Sequence, residues 1–305
     1  MALRAGGPSR RSLAVTNVTK AGEIHWEQHT VEWIDDNHLR IGDVSFRLFF
    51  ASDAESPLPP NTYKLEKTRG VVEFYREKFA EADIKAMLEV GIRWGASAVL
   101  FHRMLRPAKL VAIDLSAAPV PALSEYIRIC SAGAVLRPFF GIDQADRAAL
   151  EQILANELGG APLDLVIDDG CHFLSETRAC FNTLFPHLRA GGAYAIEDWG
   201  WAHWPGIWQE NGGPWSDKPA LSQLVFELVM TAASRPDVIQ SVEVRHDIAL
   251  VYRGPAKLSA DFDVSRSFLT AGRRFVEHSL AQTTSGRARA RLARWLRSAT
   301  GALRR

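Results

Sequence analysis

The chain has 305 residues, of which 47% are hydrophobic and 23% charged, which is typical of a globular protein long enough for one large domain. The net charge of +1 combines seven arginines in residues 287–305 with a body of 29 basic and 35 acidic residues. This distribution argues against a nucleic-acid-binding protein built on a basic groove. Three cysteines form no CxxC pair and no apolar run reaches the roughly 18 residues of a membrane span, so we predict a cytoplasmic protein.

The amino-acid composition changes twice in the first part of the chain. Residues 1–20 are rich in Gly, Ser and Arg and are predicted to be disordered. Residues 22–50 contain short β-branched and aromatic runs separated by Asp, Asn and Gly turns, which predict a small antiparallel β meander. Residues 51–61 have the composition of a linker. We therefore expect a small β region with its linker over residues 21–60.

Helical and strand-like patterns alternate in the next part of the chain. The predicted elements are a helix over 71–82, a strand over 86–90, a helix over 96–104, a strand over 110–114, a helix over 121–131, a strand over 134–140, a helix over 145–158, a strand over 163–167, a helix over 176–188 and a strand over 193–196. Such alternation is typical of right-handed βαβ units, and it predicts a doubly wound, Rossmann-like parallel sheet. A helix over 219–233 and two closing strands, the last antiparallel, complete an α/β domain over residues 61–255.

A glycine-rich turn follows the first strand of this series, in the sequence Glu89-Val90-Gly91-Ile92-Arg93-Trp94-Gly95. Glycines 91 and 95 let the backbone pass close to a ligand, and the helix start that follows can face an anionic group. The next strand ends on Asp114, which is placed to accept hydrogen bonds from ribose hydroxyls. The pattern differs from those of NAD and ATP sites and favours a nucleotide with an amino-acid tail. A tight turn without a ligand is the alternative.

Two further polar residues follow a strand at the same predicted edge. Asp143 and Gln144 come after the strand over 134–140 and are candidates to contact an adenine amino group. Asp143 is equally a candidate cap for the next helix.

Pairs of acids follow two neighbouring strands, Asp168-Asp169 and Glu197-Asp198. Parallel strands present their carboxyl ends at one edge, so these four carboxylates should meet there with His172. Charges gathered in this way repel and are costly to desolvate, and a divalent cation is the simplest remedy. An all-carboxylate set suits Mg²⁺ better than zinc. Loop solvation and helix capping are the alternative explanation.

Residues from about 84 to 253 resemble the class I S-adenosylmethionine-dependent methyltransferases, with Glu89, Gly91 and Gly95 in the first motif and Asp114 in the second. Residues 167–172 and 188–198 resemble, more narrowly, the metal-dependent sugar O-methyltransferases of the macrocin and mycinamicin type. This resemblance implies a general base at His172 and metal ligands at Asp169, Glu197 and Asp198. The predicted cofactor-binding set is Glu89, Gly91, Gly95, Asp114, Asp143, Gln144 and Asp168.

The function implied is an S-adenosylmethionine- and Mg²⁺-dependent O-methyltransferase acting on a sugar hydroxyl of a natural product, glycan or glycolipid. In such a reaction the cation lowers the pKa of the hydroxyl, and His172 accepts its proton. The alternatives are a catechol-type aromatic O-methyltransferase and a non-catalytic nucleotide-binding or assembly module.

Two segments outside these motifs have open interpretations. Residues 199–215 hold five tryptophans, which form either a lid that stacks on the acceptor or a packed satellite core, and His203 there is a second candidate base. The arginine-rich residues 287–305 form either an amphipathic helix on anionic lipid, at the inner face of the membrane, or a solvated tail. A homo-oligomer is a further open alternative.

Overall fold

The computed structural model describes residues 30–49, 58–210 and 212–273. The predictions for residues 1–20, for most of the linker and for the arginine-rich tail lie outside the described residues. One compact unit extends to Phe268 and a second begins at Leu269. Within the described ranges, no helix combines the length and apolarity needed to cross a membrane.

A small four-stranded sheet opens the described chain. Strands β1 (Val31–Asp35), β2 (His38–Ile41) and β3 (Val44–Leu48) pair antiparallel, as the meander prediction requires. The fourth strand, β4 (Thr62–Leu65), has no counterpart in the sequence analysis, and it pairs parallel to β3. It lies within the range assigned to the main domain, so the small sheet continues beyond the predicted linker.

The main sheet is formed by the alternating elements that follow. They are α1 (Arg69–Phe79), β5 (Ala86–Val90), α2 (Ala96–Leu105), β6 (Lys109–Asp114), α3 (Pro121–Ile129), β7 (Leu136–Phe140), α4 (Arg147–Leu158), β8 (Leu163–Asp168), α5 (Leu174–Leu184), β9 (Leu188–Glu197), α6 (Ser222–Ser234), β10 (Ile239–Val244) and β11 (Ile248–Arg253). The strand order is β10-β11-β9-β8-β5-β6-β7. The five strands from β5 to β9 run parallel, and β11 is antiparallel to β9 and β10, which confirms the predicted fold class.

Burial explains why these strands read as nearly continuous apolar runs. Every residue of β5 is buried, because helices cover both faces of a parallel sheet. One core joins α1, α2 and α3 to this sheet and also contains Leu39, Ile41 and Phe46 of the small sheet. The other core lies under α4, α5 and α6. The small sheet is therefore packed into the same core as one face of the main sheet.

Candidate active site

A cavity of about 1170 Å³ runs along the carboxyl ends of the five parallel strands. The loop after each strand contributes to its wall. The predicted site residues that line it are Gly91, Asp114, Asp143, Gln144, Asp169, His172, Glu197 and Asp198. Most of the predicted residues therefore lie together, as expected because parallel strands end at the same edge of the sheet.

The glycine turn follows β5, the middle strand of the five parallel strands, and Gly91 lines the cavity. Gly91 adopts a φ of 95°, and a Cβ atom there would lie 2.1 Å from the carbonyl oxygen of Asp169. The carboxylate of Asp114 holds the turn in place, since its Oδ2 accepts hydrogen bonds from the backbone N–H groups of Ile92 and Arg93, both at 2.8 Å. Asp114 thus fixes the turn and also faces the cavity.

Two residues of the predicted cofactor set support this turn from behind and are not part of the cavity wall. Glu89 is fully buried. Its burial raises its pKa to about 8, although Ser97 and Lys67 oppose the rise. Gly95 precedes α2 with a φ of 81°, and a Cβ atom there would lie 2.8 Å from that of Leu123. Gly95 therefore shapes the turn through its backbone conformation, and Glu89 is a buried carboxyl group of β5.

Gln144 and Asp168 are buried and connect neighbouring loops. Gln144 accepts a hydrogen bond from the backbone N–H of Cys171 at 2.9 Å, and its amide nitrogen lies 3.4 Å from Asp168 Oδ1. Asp168 accepts a hydrogen bond from the Tyr194 hydroxyl at 2.8 Å, and its burial raises its pKa to about 6. These contacts tie the loop after β7 to the loop after β8. Asp168 has no place in the cavity wall, whereas Gln144 reaches it.

Asp143 lines the cavity, but it does not cap the following helix. Its Oδ1 accepts a hydrogen bond from the backbone N–H of Ala145 at 2.8 Å, within the loop. The N-cap of α4 is Asp146, whose side chain accepts from Ala149 N–H. The prediction of a capping role for Asp143 is therefore wrong by one turn, and its position in the cavity wall remains.

The loops after β8 and β9 contribute an acidic cluster with a histidine to the cavity wall. Ligand atoms of Asp169, His172 and Asp198 all lie within 4.8 Å of one another. His172 Nε2 is 3.7 Å from Asp169 Oδ1 and 3.9 Å from Asp198 Oδ2. Burial, followed by the charge of Asp169, raises the pKa of Asp198. The repulsion anticipated among these acids is thus present in the structure.

Backbone strain is concentrated in the same cluster. His172 and Asp198 both adopt left-handed conformations, with φ values of 57° and 52°. Non-glycine residues rarely adopt this region, and such residues gather at functional sites. Neighbouring segments hold both of them, because the His172 carbonyl accepts from Trp201 Nε1 at 2.9 Å and the Asp198 N–H donates to the Asp247 carbonyl at 2.7 Å.

The sequence analysis missed Lys67, which belongs to this cluster and lies between β4 and α1. Its side chain is 2% exposed. Its Nζ lies 2.8 Å from Asp169 Oδ2 and 2.7 Å from Glu197 Oε2. Burial alone would lower the pKa of Lys67, but the charges of Asp169 and Glu197 raise it above its usual value. The residue stands in the charged run Glu66-Lys67-Thr68-Arg69, where no local pattern distinguishes it from a solvated lysine.

The tryptophan segment contributes to both the core and the cavity wall. Trp201 is buried, whereas Trp204, Trp208 and Trp215 line the cavity. Trp215 faces His172, with ring centroids 6.4 Å apart and ring planes inclined by 26°. His203 is exposed, bonds to Ser222 and lies outside the cavity wall, so the structure gives it no place as a base.

Part of the chain that forms this site is similar to known proteins. Residues 88–199 match the family model described as a methyltransferase domain. The match spans 112 of the 305 residues of the chain. The match covers the glycine turn, Asp114 and the whole acidic cluster except for Lys67.

Curated relatives match shorter parts of the methyltransferase domain. The chain is 42% identical over 87 residues to demethylmacrocin O-methyltransferase of Streptomyces fradiae, covering 28% of this chain and 21% of that protein. It is 50% identical over 65 residues to mycinamicin VI 2''-O-methyltransferase of Micromonospora griseorubida, covering 21% of this chain and 16% of that protein. The matched segments are therefore small parts of both relatives.

A solved structure also resembles the chain. It is the MycE methyltransferase from the mycinamycin biosynthetic pathway in complex with Mg, SAH and mycinamycin VI. The TM-score is 0.45 at 27% sequence identity, over 61% of this chain and 49% of that chain.

Replacing Gly91 by alanine should destabilise the protein by more than about 3 kcal/mol, because the new methyl group would collide with the Asp169 backbone. Gly160→Ala is the matched control, since Gly160 has a φ of 90° with nothing within 4 Å of a Cβ atom. It should cost only about 1 kcal/mol of backbone strain. Urea unfolding followed by circular dichroism measures both, and equal losses would contradict the proposed close approach of the two loops.

Replacing Glu89 by glutamine should flatten the dependence of stability on pH. The folded state raises the pKa of Glu89 from 4.5 to about 8 and so binds its proton more tightly than the unfolded state does. This group therefore favours folding most below pH 4.5, and that contribution is lost as the pH rises towards about 8. At pH 8, Glu89→Gln should melt at a higher temperature than the wild type in differential scanning fluorimetry. The exposed control Glu81→Gln should follow the wild-type profile, and a parallel profile for Glu89→Gln would refute the shift.

Proposed function

We propose that this protein is an S-adenosylmethionine- and Mg²⁺-dependent O-methyltransferase that acts on a sugar hydroxyl of a natural product, glycan or glycolipid. The observation that carries the proposal is that a single cavity joins the glycine turn with Asp114 to the acidic cluster with His172. A methyl donor at the first end and a hydroxyl at the second would meet inside that cavity. This is the positioning that an in-line methyl transfer needs.

The residues at the nucleotide end fit the cofactor. Gly91 leaves room for a ligand beside the backbone, and Asp114 Oδ1 has accepting capacity beyond its 2.7 Å bond from Ser116 N–H. Ribose hydroxyls are suitable donors to such a carboxylate. Asp143 lines the wall farther along, on the side we assign to the adenine. When bound, S-adenosylmethionine supplies an electrophilic methyl group on a sulfonium.

The residues at the acidic end fit a hard divalent cation. Asp169 and Asp198 offer carboxylate oxygens within 4.8 Å of each other, and the third side chain of that group is His172. Glu197, the third predicted ligand, lies outside that group, and Lys67 contacts both of its carboxylate oxygens. Oxygen ligands of this kind suit Mg²⁺. Burial, and after it the charge of Asp169, raises the pKa of Asp198, and a bound cation would oppose both effects. When bound, Mg²⁺ would lower the pKa of an acceptor hydroxyl.

We assign the removal of the acceptor's proton to His172. Its Nε2 faces the two carboxylates, and Trp215 covers the ring on one side. The Trp201 hydrogen bond to the His172 carbonyl keeps the residue in its left-handed conformation.

The aromatic wall supports a glycosylated acceptor. Trp204, Trp208 and Trp215 offer indole faces to the cavity, and such faces stack on the apolar face of a sugar. Two more relatives carry names with a glycosyl group, the 8-demethyl-8-alpha-L-rhamnosyl tetracenomycin-C 2'-O-methyltransferase of Streptomyces olivaceus and the L-olivosyl-oleandolide 3-O-methyltransferase of Streptomyces antibioticus. These names favour the sugar over the catechol alternative.

A cytoplasmic location belongs to the same proposal. Cys130, Cys171 and Cys180 are all free thiols, as expected in a reducing compartment. Membrane contact through residues 287–305 and a homo-oligomer remain predictions from the sequence.

Replacing His172 by alanine should leave S-adenosylmethionine binding within about twofold of the wild type in calorimetry and reduce turnover by at least about 100-fold, because a general base is lost. Acceptors for the assay are rhamnosyl and olivosyl polyketides, with catechol as the competing class. The control His203→Ala lies outside the cavity wall and should retain activity. Absence of S-adenosylmethionine binding by the wild type would refute the proposed function.

Replacing Asp169 by alanine should remove the response of turnover to added Mg²⁺ and leave activity near zero, because the cation loses a ligand. Turnover measured against MgCl₂ concentration, with and without chelator, tests this. Full activity of Asp169→Ala in chelator would overturn the metal assignment.

A further inference from the structure

Lys67 is a buried cation inside the acidic cluster. Its Nζ contacts both oxygens of Glu197, at 2.8 and 2.7 Å, and Asp169 Oδ2 at 2.8 Å. The side chain of Glu197 is 5% exposed, so water contributes little to its solvation. A buried carboxylate without a partner is strongly destabilising, and the ammonium of Lys67 supplies that partner.

The same short segment provides a second contact to Glu197. Tyr75 is fully buried on α1, and its hydroxyl donates to Glu197 Oε1 at 2.9 Å. Lys67 therefore stands between β4 and α1, and each side of it is anchored. Leu65 at the end of β4 is buried in the core, and Thr68 caps α1 by accepting from Val71 N–H.

This placement gives the small N-terminal sheet a role in the site. Strand β4 pairs with β3 and carries the chain to Lys67, which lies 102 residues from Asp169 and 130 from Glu197 in sequence. The methyltransferase family match begins only at residue 88. A residue outside the matched domain thus neutralises two of the three predicted metal ligands.

We propose that Lys67 is a positioning residue that holds Glu197 and Asp169 together while no cation is bound and competes with a cation for their oxygens. Its ammonium orients Asp169 so that Oδ2 is engaged, while Oδ1 faces His172. It also replaces part of the positive charge that the cluster requires, and so limits how strongly the site attracts a divalent cation. The statement about the cation rests on the proposed function, whereas the pairing of Lys67 with Glu197 does not.

A double-mutant cycle measured without metal or cofactor tests the pairing. Lys67→Met should lower the melting temperature of the full chain by roughly 10 °C, because it leaves Glu197 buried without its partner. Adding Glu197→Gln to that variant should recover about half of the loss or more, since the second change removes the stranded charge. Lys85→Met, which removes an exposed lysine paired only with exposed Asp83, should melt like the wild type. A double variant no more stable than Lys67→Met would overturn the proposal. If Lys67→Met alone fails to fold, the melting temperature of the double variant still tests the pairing.

The response to MgCl₂ separates a positioning role from general structural support. Millimolar MgCl₂ should raise the melting temperature of Lys67→Met more than that of the wild type, because the carboxylates freed from the ammonium attract the cation more strongly. Lys67→Arg, which keeps the charge, should respond like the wild type. An equal rise in wild type and Lys67→Met would overturn the proposed role. If neither protein responds, the proposed metal site fails, and the metal-free cycle alone decides the pairing of Lys67 with Glu197.

Discussion

The structure depends on one electrostatic constraint, which is the gathering of carboxylates at the carboxyl edge of a parallel sheet. Strands β8 and β9 end in acids, and parallel pairing delivers those acids to the same place. Repulsion and desolvation would destabilise such a cluster. The Lys67 ammonium and the Tyr75 hydroxyl stabilise these carboxylates, and in our proposal a divalent cation does so as well. The acidic cluster therefore requires contributions from well beyond the two strands that carry it.

Several other features of the structure surround this acidic cluster. The loops after β5 and β8 approach so closely that position 91 admits only glycine. His172 and Asp198 adopt left-handed conformations that bring their side chains into the cluster, and hydrogen bonds from Trp201 and to Asp247 stabilise this strain. The small N-terminal sheet shares a core with α1 and α2, which fixes the segment that carries Lys67.

At the nucleotide end, the predicted residues divide into two structural roles. Gly91, Asp114 and Asp143 face the cavity, while Glu89 is buried in β5 and Gly95 shapes the turn through its backbone. Gln144 and Asp168 join adjacent loops through buried hydrogen bonds. The predicted motif thus combines residues that line the cavity with residues that are buried behind it, and sequence spacing cannot separate the two.

The sequence by itself determined the alternation of strands and helices, the doubly wound sheet and the edge at which the acids meet. Those features depend on local periodicity and on the rule that parallel strand ends share an edge. Only the tertiary structure decided that β4 completes the small sheet, that Asp146 and not Asp143 caps α4, and that Lys67 enters the acidic cluster. The reason is physical: a lysine in a charged run looks solvated, and a contact across 130 residues depends on packing that no local pattern records. The burial of Lys67 against Glu197 is a property of the assembled core, and so is the choice of Gly91 over any larger residue.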